Sequence, residues 1–339
     1  MRLAIVVPCY NEQEVLPEAA SRLMGVLNRL AAKGRIAADS CIYFVDDGSK
    51  DSTWSIIAEL AKRHPQVKGL KLSRNRGHQN ALIAGLFHAQ GDALVSIDAD
   101  LQDDVDVIAD MVEAYLSGCE VVYGVRGDRS SDSFFKRFTA EGYYRVLKTL
   151  GVDVVFNHAD YRLLSRRAIE ALREYREVNL FLRGVVPLLG FKSTTVSYAR
   201  SERFAGESKY PLHKMLRLAA QGVTSFSATP LHLITWLGLA VCFLSFSLTL
   251  WVLGVRFFTD EAVPGWASTV VPIYFLGGVQ LLCTGVIGEY LAKTYMEVKG
   301  RPRYIIEEET RSEAQVKALG GERGTEAQLE VLNARQGQS

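Results

Sequence analysis

The sequence predicts an α/β domain on a parallel, doubly wound sheet, followed by a C-terminal portion built to sit on and in a membrane. Three observations predict it. Short apolar runs alternate with amphipathic helices over about the first 125 residues. One of those runs, Ala93–Ile97, ends abruptly in Asp98, Asp100, Asp103 and Asp104, at the strand end where open α/β sheets bind ligands. Far downstream, Leu231–Val255 carries no Asp, Glu, Lys or Arg, and Val270–Ala292 is broken only by Gln280 and Glu289. Each is long enough to cross a hydrocarbon layer of ~30 Å.

The elements follow in order. Leu3–Val7, bounded by Pro8, is the first strand, and Tyr10, Asn11 and Glu12 lie at its end before a helix over Val15–Ala32. Cys41–Val45 is the second strand, closed by Asp46, Asp47, Gly48 and Ser49; Asp51 or Ser52 can cap the helix Thr53–Arg63. Val67–Leu72 and His78–Ala89 form the next strand–helix pair. Ala93–Ile97, the helix Asp106–Leu116 and the strand Glu120–Val125 complete the alternation. Beyond Val125 the pattern loosens. Helices are expected over Ser133–Leu150, Arg166–Leu172 and Leu180–Leu189, and strands over Tyr161–Leu164 and Thr194–Tyr198. A polar loop, Ser201–Tyr210, precedes the amphipathic stretch Leu212–Phe226, which reads as a helix lying on a membrane surface or as an ordinary core helix. From Glu307 the chain is polar, and a mobile tail is expected. The expected layout is a catalytic domain over 1–210, an interfacial helix over 211–229, two transmembrane helices over 230–293 and a C-terminal segment over 294–339.

Charge narrows the function. A net charge of +1 provides no global basic field for nucleic acid. Lys214 and Arg217 flank the first apolar stretch, and Lys293, Lys299, Arg301 and Arg303 flank the second, whereas the intervening loop Arg256–Thr269 holds one Arg against Asp260 and Glu261. The positive-inside rule then puts both termini in the cytoplasm. No cleavable leader is expected at the N-terminus. Five cysteines without metal-ligand spacing read as reduced and structural. No dinucleotide glycine fingerprint follows the first strand, which disfavours a nicotinamide cofactor.

The Asp98–Asp104 cluster has two readings on its own residues. Hard oxygen ligands spaced by one residue suit Mg²⁺ or Mn²⁺, bridged to nucleotide phosphates. Equally, early carboxylates favour the N-terminus of the following helix.

Four stretches in this order resemble the family 2 glycosyltransferases of GT-A (Rossmann-like) fold, and among them the polyprenyl-phosphate glycosyltransferases. They are VVPCYNE (Val6–Glu12), VDDGSKDST (Val45–Thr53), DADLQ (Asp98–Gln102) and RFAGESKY (Arg203–Tyr210), with GEY at Gly288–Tyr290 and RPRY at Arg301–Tyr304 in support. The resemblance implies a nucleotide-sugar site of Pro8, Tyr10, Glu12, Val45, Asp47, Asp98, Ala99, Arg203 and Lys209. In it Tyr10 stacks on the base and Asp47 meets the uracil imide. It implies metal ligation by Asp100 and Gln102, with Asp98 supporting metal and ribose. Arg126, Lys136 and Arg137 would hold the acceptor phosphate. Asp160 matches a carboxylate that orients the acceptor or lends weak base assistance. One departure stands out: relatives usually read Asp-Pro-Pro after the glutamine, whereas this chain reads Asp103-Asp104-Val105, which bears on the stiffness of that loop.

The implied activity is inverting transfer of a sugar, glucose first, from a uridine nucleotide to polyprenyl phosphate at the bacterial inner membrane, by a homotetramer. Two rivals are a processive polysaccharide synthase and a non-catalytic membrane scaffold. The first lacks its Gln-x-x-Arg-Trp stretch here, since none of Trp54, Trp236, Trp251 and Trp266 follows an arginine. Intact Asp98, Asp100 and Gln102 argue against the second.

Overall fold

The computed structural model of the chain describes residues 1–126, 158–177, 180, 182–198 and 266–310, together with 231, 234–241, 243, 244, 247, 250 and 251. Its first half is built from near-continuous apolar runs, which only a strand covered on both faces can bury. β1 (Leu3–Cys9), β2 (Cys41–Asp46), β3 (Val67–Leu72) and β4 (Ala93–Ser96) pair in parallel, joined by α1 (Leu16–Ala32), α2 (Thr53–Arg63) and α3 (His78–His88). After β4 come α4 (Val107–Leu116), β5 (Val121–Arg126), β6 (His158–Ser165), α5 (Arg166–Arg173), α6 (Leu182–Leu188) and β7 (Ser193–Tyr198). The long helix α7 (Trp266–Val298) and β8 (Ile306–Glu309) complete the set.

All eight strands join one sheet in the order β7-β5-β6-β4-β1-β2-β3-β8. Alternate residues of each strand feed opposite cores. On one face Ile5, Val7, Ile42 and Phe44 pack with Leu23, Leu27, Ile57 and Met111 of α1, α2 and α4. On the other, Val6, Tyr43 and Val45 pack with Leu82 and Leu86 of α3, Ile169 of α5 and Val185 of α6.

Two expectations need correction. The sheet is mixed, since β6 runs antiparallel to both β4 and β5, and β8 antiparallel to β3. Strand–helix alternation encodes crossovers but not the sense of a strand that follows a long connection, here 127–157. Secondly, Ile306–Glu309 is a strand, although a tail was expected from Glu307. Three successive glutamates lack strand propensity, but the edge of β3 supplies partners. Glu307 pairs with Lys71 Nζ at 3.2 Å, Trp54 Nε1–H donates to Glu308 at 3.1 Å, and the Gly69 amide donates to Thr310 Oγ1 at 2.7 Å. Among the described residues one helix is long and apolar enough to cross a membrane, over Phe275–Val298 within α7. Of the first predicted span, the described residues between 231 and 251 are helical. Cys9, Cys41, Cys119 and Cys283 are free thiols. The expected helix over Ser133–Leu150, the Ser201–Tyr210 loop and the amphipathic stretch Leu212–Phe226 lie outside the described residues.

Candidate active site

The C-terminal ends of β1, β2 and β4 open onto a cleft of about 260 Å³. Two loops that frame it are zipped together by side chains taking backbone amides. The Asn11 amide donates to Ser49 Oγ at 3.0 Å and the Lys50 amide returns to Asn11 Oδ1 at 2.9 Å. The Glu12 amide donates to Thr53 Oγ1 at 2.9 Å, and the Ser52 amide to Gln13 Oε1 at 3.1 Å. Asn11 sits at φ 55°, a region that asparagine tolerates because its short side chain bonds locally. The helix start is held by Asp51, whose Oδ1 accepts from the Thr53 amide at 3.0 Å; Ser52 makes no capping bond of its own. The zipper leaves Tyr10 41% exposed beside Pro8 and Glu12, which excludes a core role for its ring.

Asp47 is buried, and its two oxygens accept from the Arg76 amide at 2.7 Å and the Gly77 amide at 2.8 Å. Burial pushes its carboxyl up, and these two bonds pull the other way. Each oxygen keeps a second acceptor site, so the carboxylate can hold the Arg76–Gly77 turn and still meet a ligand. Val45 lies one pleat deeper on the same face and is fully buried beneath α3, where a Cβ on Gly85 would come within 2.7 Å of it. It supports the cleft from below and does not line it.

The acidic turn after β4 divides its residues by environment. Asp98, Ala99 and Asp100 line the cleft; Gln102 and Asp103 are buried. Leu101 drives the split: at φ 56° it folds its side chain against Val15 and Ala19, and the turn lets the Gln102 amide donate to Asp100 Oδ1 at 3.2 Å. A leucine in this region is strained and is held only by its surroundings. Two tyrosine hydroxyls stiffen the turn after Gln102. Tyr198 donates to Asp103 Oδ1 at 2.7 Å and Tyr161 to the Asp104 carbonyl at 2.9 Å, with the two rings edge to face at 5.4 Å.

Negative charge accumulates at this corner. Burial, then Asp160, Asp103 and Asp100, push the Asp98 carboxyl up to about 6, against the opposing influence of His78. Such a concentration of carboxylate oxygens fits a hard divalent cation such as Mg²⁺ or Mn²⁺. Among the described residues no three His, Cys, Asp or Glu side chains could by themselves hold a metal ion.

Sequence reasoning missed His78, Asn75 and Gly77, which line the same cleft. The available signal was a polar run, Ser73–Asn80, at the end of a buried strand and on the same sheet edge as the other motifs. His78 Nε2 stands 3.4 Å from Asp98 and 3.7 Å from Asp160, so it joins the donor side of the cleft to β6. Asp160 itself is buried between two arginines. Arg162 contacts its Oδ1, and Arg183 Nε and a terminal nitrogen reach its two oxygens at 3.2 and 3.0 Å. Burial would raise its carboxyl, but Arg162 and Arg183 outweigh that and hold it well below the usual carboxylate range. Arg126 ends β5 with its backbone paired to Tyr198. Lys136, Arg137, Arg203 and Lys209 lie outside the described residues.

The profile described as glycosyl transferase family 2 matches residues 4–173. The chain is 51% identical over 311 residues to an uncharacterized glycosyltransferase, YkoT, of Bacillus subtilis, covering 90% of this chain and 91% of that one. It is 40% identical over 312 residues to the SfII prophage-derived bactoprenol glucosyl transferase of Shigella flexneri, covering 92% and 99%. It is likewise 40% identical over 307 residues to a prophage bactoprenol glucosyl transferase homolog of Escherichia coli, covering 90% and 98%. A looser likeness, 16% identical with TM-score 0.42, is to glucosyl-3-phosphoglycerate synthase from Mycobacterium tuberculosis, over 66% of this chain and 76% of that one.

With a mixed α/β sheet of GT-A type, a family match over 4–173 and these relatives, the chain is a glycosyltransferase. More narrowly, the chain belongs to glycosyl transferase family 2.

Proposed function

We propose that this glycosyltransferase moves a hexose, glucose first, from a uridine diphosphate sugar to polyprenyl phosphate, inverting the anomeric centre. The observation that carries the reading is the meeting of Tyr10, Glu12, Asp47, Asp98 and Asp100 on one sheet edge, in a chain 40% identical over nine-tenths of its length to bactoprenol glucosyl transferases. Tyr10, exposed at the rim, offers a face for a base, while Asp47 and Glu12 supply acceptors for base and ribose hydroxyls and N–H groups. Asp100 and Gln102, with Asp98 in support, would hold Mg²⁺ or Mn²⁺, which when bound offsets the charge of the diphosphate leaving group. Arg203 and Lys209 are proposed to meet the same diphosphate, and Arg126, Lys136 and Arg137 the acceptor phosphate.

The acceptor is already an oxyanion near neutral pH, so its oxygen can form the bond to the anomeric carbon without first losing a proton. The bond from that carbon to the diphosphate breaks on the opposite side, and its electron pair leaves with the nucleotide. A single displacement of this kind turns an α-linked donor into a β-linked product. The apolar helix over Phe275–Val298 supports attachment to the membrane that carries the lipid. The full proposal is a bacterial inner-membrane enzyme with a catalytic domain over 1–210, an interfacial helix over 211–229, two spans over 230–293 and cytoplasmic termini, assembled as a homotetramer.

The test is direct. Membranes holding the chain are incubated with a panel of labelled nucleotide sugars and polyprenyl phosphate, and the lipid is extracted. Label from uridine diphosphate glucose in the lipid fraction, lost when a chelator is added, is the expected result. Label confined to a water-soluble or polymeric product would overturn the proposal.

A further inference from the structure

Next to the cleft-lining His78, the chain commits a buried carboxylate, Asp160, to holding arginines. Asp160 and Arg162 are both buried on β6, and Arg162 also donates to the Leu182 carbonyl at 3.3 Å. That bond pins the first residue of α6, so the neighbouring Arg183 starts the helix at a fixed place. Arg183 then lays its guanidinium across both Asp160 oxygens, at 3.2 and 3.0 Å, while 37% of its side-chain surface stays exposed. His78, which lines the donor cleft, stands 3.7 Å from the same carboxylate, so this cluster borders the place where the sugar would sit. Two guanidinium groups against one carboxylate leave this cluster positive beside a corner that is otherwise acidic.

We propose that Arg183 binds the phosphate of the acceptor and that Asp160 is its positioning residue and not a general base. The inference rests on the polyprenyl-phosphate reading above. A general base works best with a proton affinity near the working pH, and a carboxylate committed to two arginines has the opposite character. A phosphate monoester needs no base, because it is ionised near neutral pH. What it needs is a charge-assisted donor held in one geometry, and a guanidinium braced by a buried carboxylate is such a donor.

The full-length protein in detergent is tested with uridine diphosphate glucose and a short-chain polyprenyl phosphate. Arg183→Gln should raise the KM for the acceptor about 10- to 100-fold, with the affinity for uridine diphosphate measured by calorimetry unchanged. Arg183→Lys should recover part of that loss. Asp160→Asn should likewise raise the acceptor KM and keep the shape of the wild-type pH–rate profile, and adding it to Arg183→Gln should cost little more than either change alone. If the Asp160→Asn chain does not fold, the two Arg183 variants decide the matter. A wild-type acceptor KM in Arg183→Gln overturns the inference, as does an Asp160→Asn enzyme that loses kcat and the acidic limb of its profile with acceptor KM unchanged. A wild-type chain that binds uridine diphosphate yet transfers nothing to the lipid phosphate instead sinks the acceptor reading, and this inference with it.

Discussion

Replacing Gly48 with alanine tests how the nucleotide side of the cleft is assembled. Gly48 has φ +67°, and an added Cβ would lie 2.6 Å from the Arg74 carbonyl carbon, 2.7 Å from the Asn75 nitrogen and 2.9 Å from Arg74 Cα. All three are backbone atoms, so no side chain can rotate away. The 74–77 segment would have to retreat by nearly ~1 Å to reach ordinary carbon contact of about 3.5 Å. That same segment carries the Arg76 and Gly77 amides bonded to Asp47. The left-handed backbone costs an alanine about 1–2 kcal/mol, and a forced shift in a packed region about 1–3 kcal/mol more. The expected loss of stability is therefore about 2–5 kcal/mol. Gly34→Ala is the internal control, since its φ is +65° but nothing lies within 4 Å of its added Cβ, leaving the backbone cost alone. Urea unfolding of the two variants, with calorimetric titration of uridine diphosphate, reads both effects. Gly48→Ala should be the less stable and should bind nucleotide more weakly, whereas Gly34→Ala should bind normally. Equal losses in the two variants, or unchanged nucleotide affinity in Gly48→Ala, would refute the close-approach argument.

Three further outcomes are expected. Asp100→Ala should abolish transfer and metal-dependent nucleotide binding with the fold intact by circular dichroism; normal manganese-stimulated turnover in this variant would exclude Asp100 as a ligand. Tyr198→Phe removes the hydroxyl that donates to the buried Asp103 and should cost about 1.5–3 kcal/mol in unfolding measurements, with a fall in kcat as the acidic turn loosens; wild-type stability would show that the turn is held by other means. Asp98, raised to about 6 by burial and neighbouring carboxylates, holds its proton more tightly in the folded chain than in the unfolded one. In chelator-treated protein, wild type should therefore lose Tm relative to Asp98→Asn as pH rises from about 4, with the difference levelling off above about 6; a difference that grew in wild type's favour over that range would contradict the assignment.

The limits of sequence reading are visible at particular residues. Asp98 and Asp100 were legible because a buried apolar strand that stops in carboxylates is a local pattern. Their division of labour with Gln102 and Asp103 was not, since it depends on Leu101 flipping to positive φ to reach Val15 and Ala19 across the fold. The missing prolines after Gln102 pointed to a looser loop. Tyr161 and Tyr198, 57 and 95 residues away from the atoms they bind, restrain it instead. His78 lies in a polar run that marks the sheet edge, but its pairing with Asp98 and Asp160 was not legible, because those residues arrive from other strands.

By itself the sequence determined the layered α/β architecture, the ligand-binding edge of the sheet and the apolar stretch Val270–Ala292 that falls within α7, because each rests on periodicity, composition or strand-end chemistry within one short stretch. Only the tertiary structure decided the antiparallel sense of β6, the capture of three glutamates as an edge strand on β3, and the pairing of Asp160 with Arg162 and Arg183. These depend on which backbone edge and which charge a distant segment meets, and free energies of pairing and burial at such contacts override local propensity.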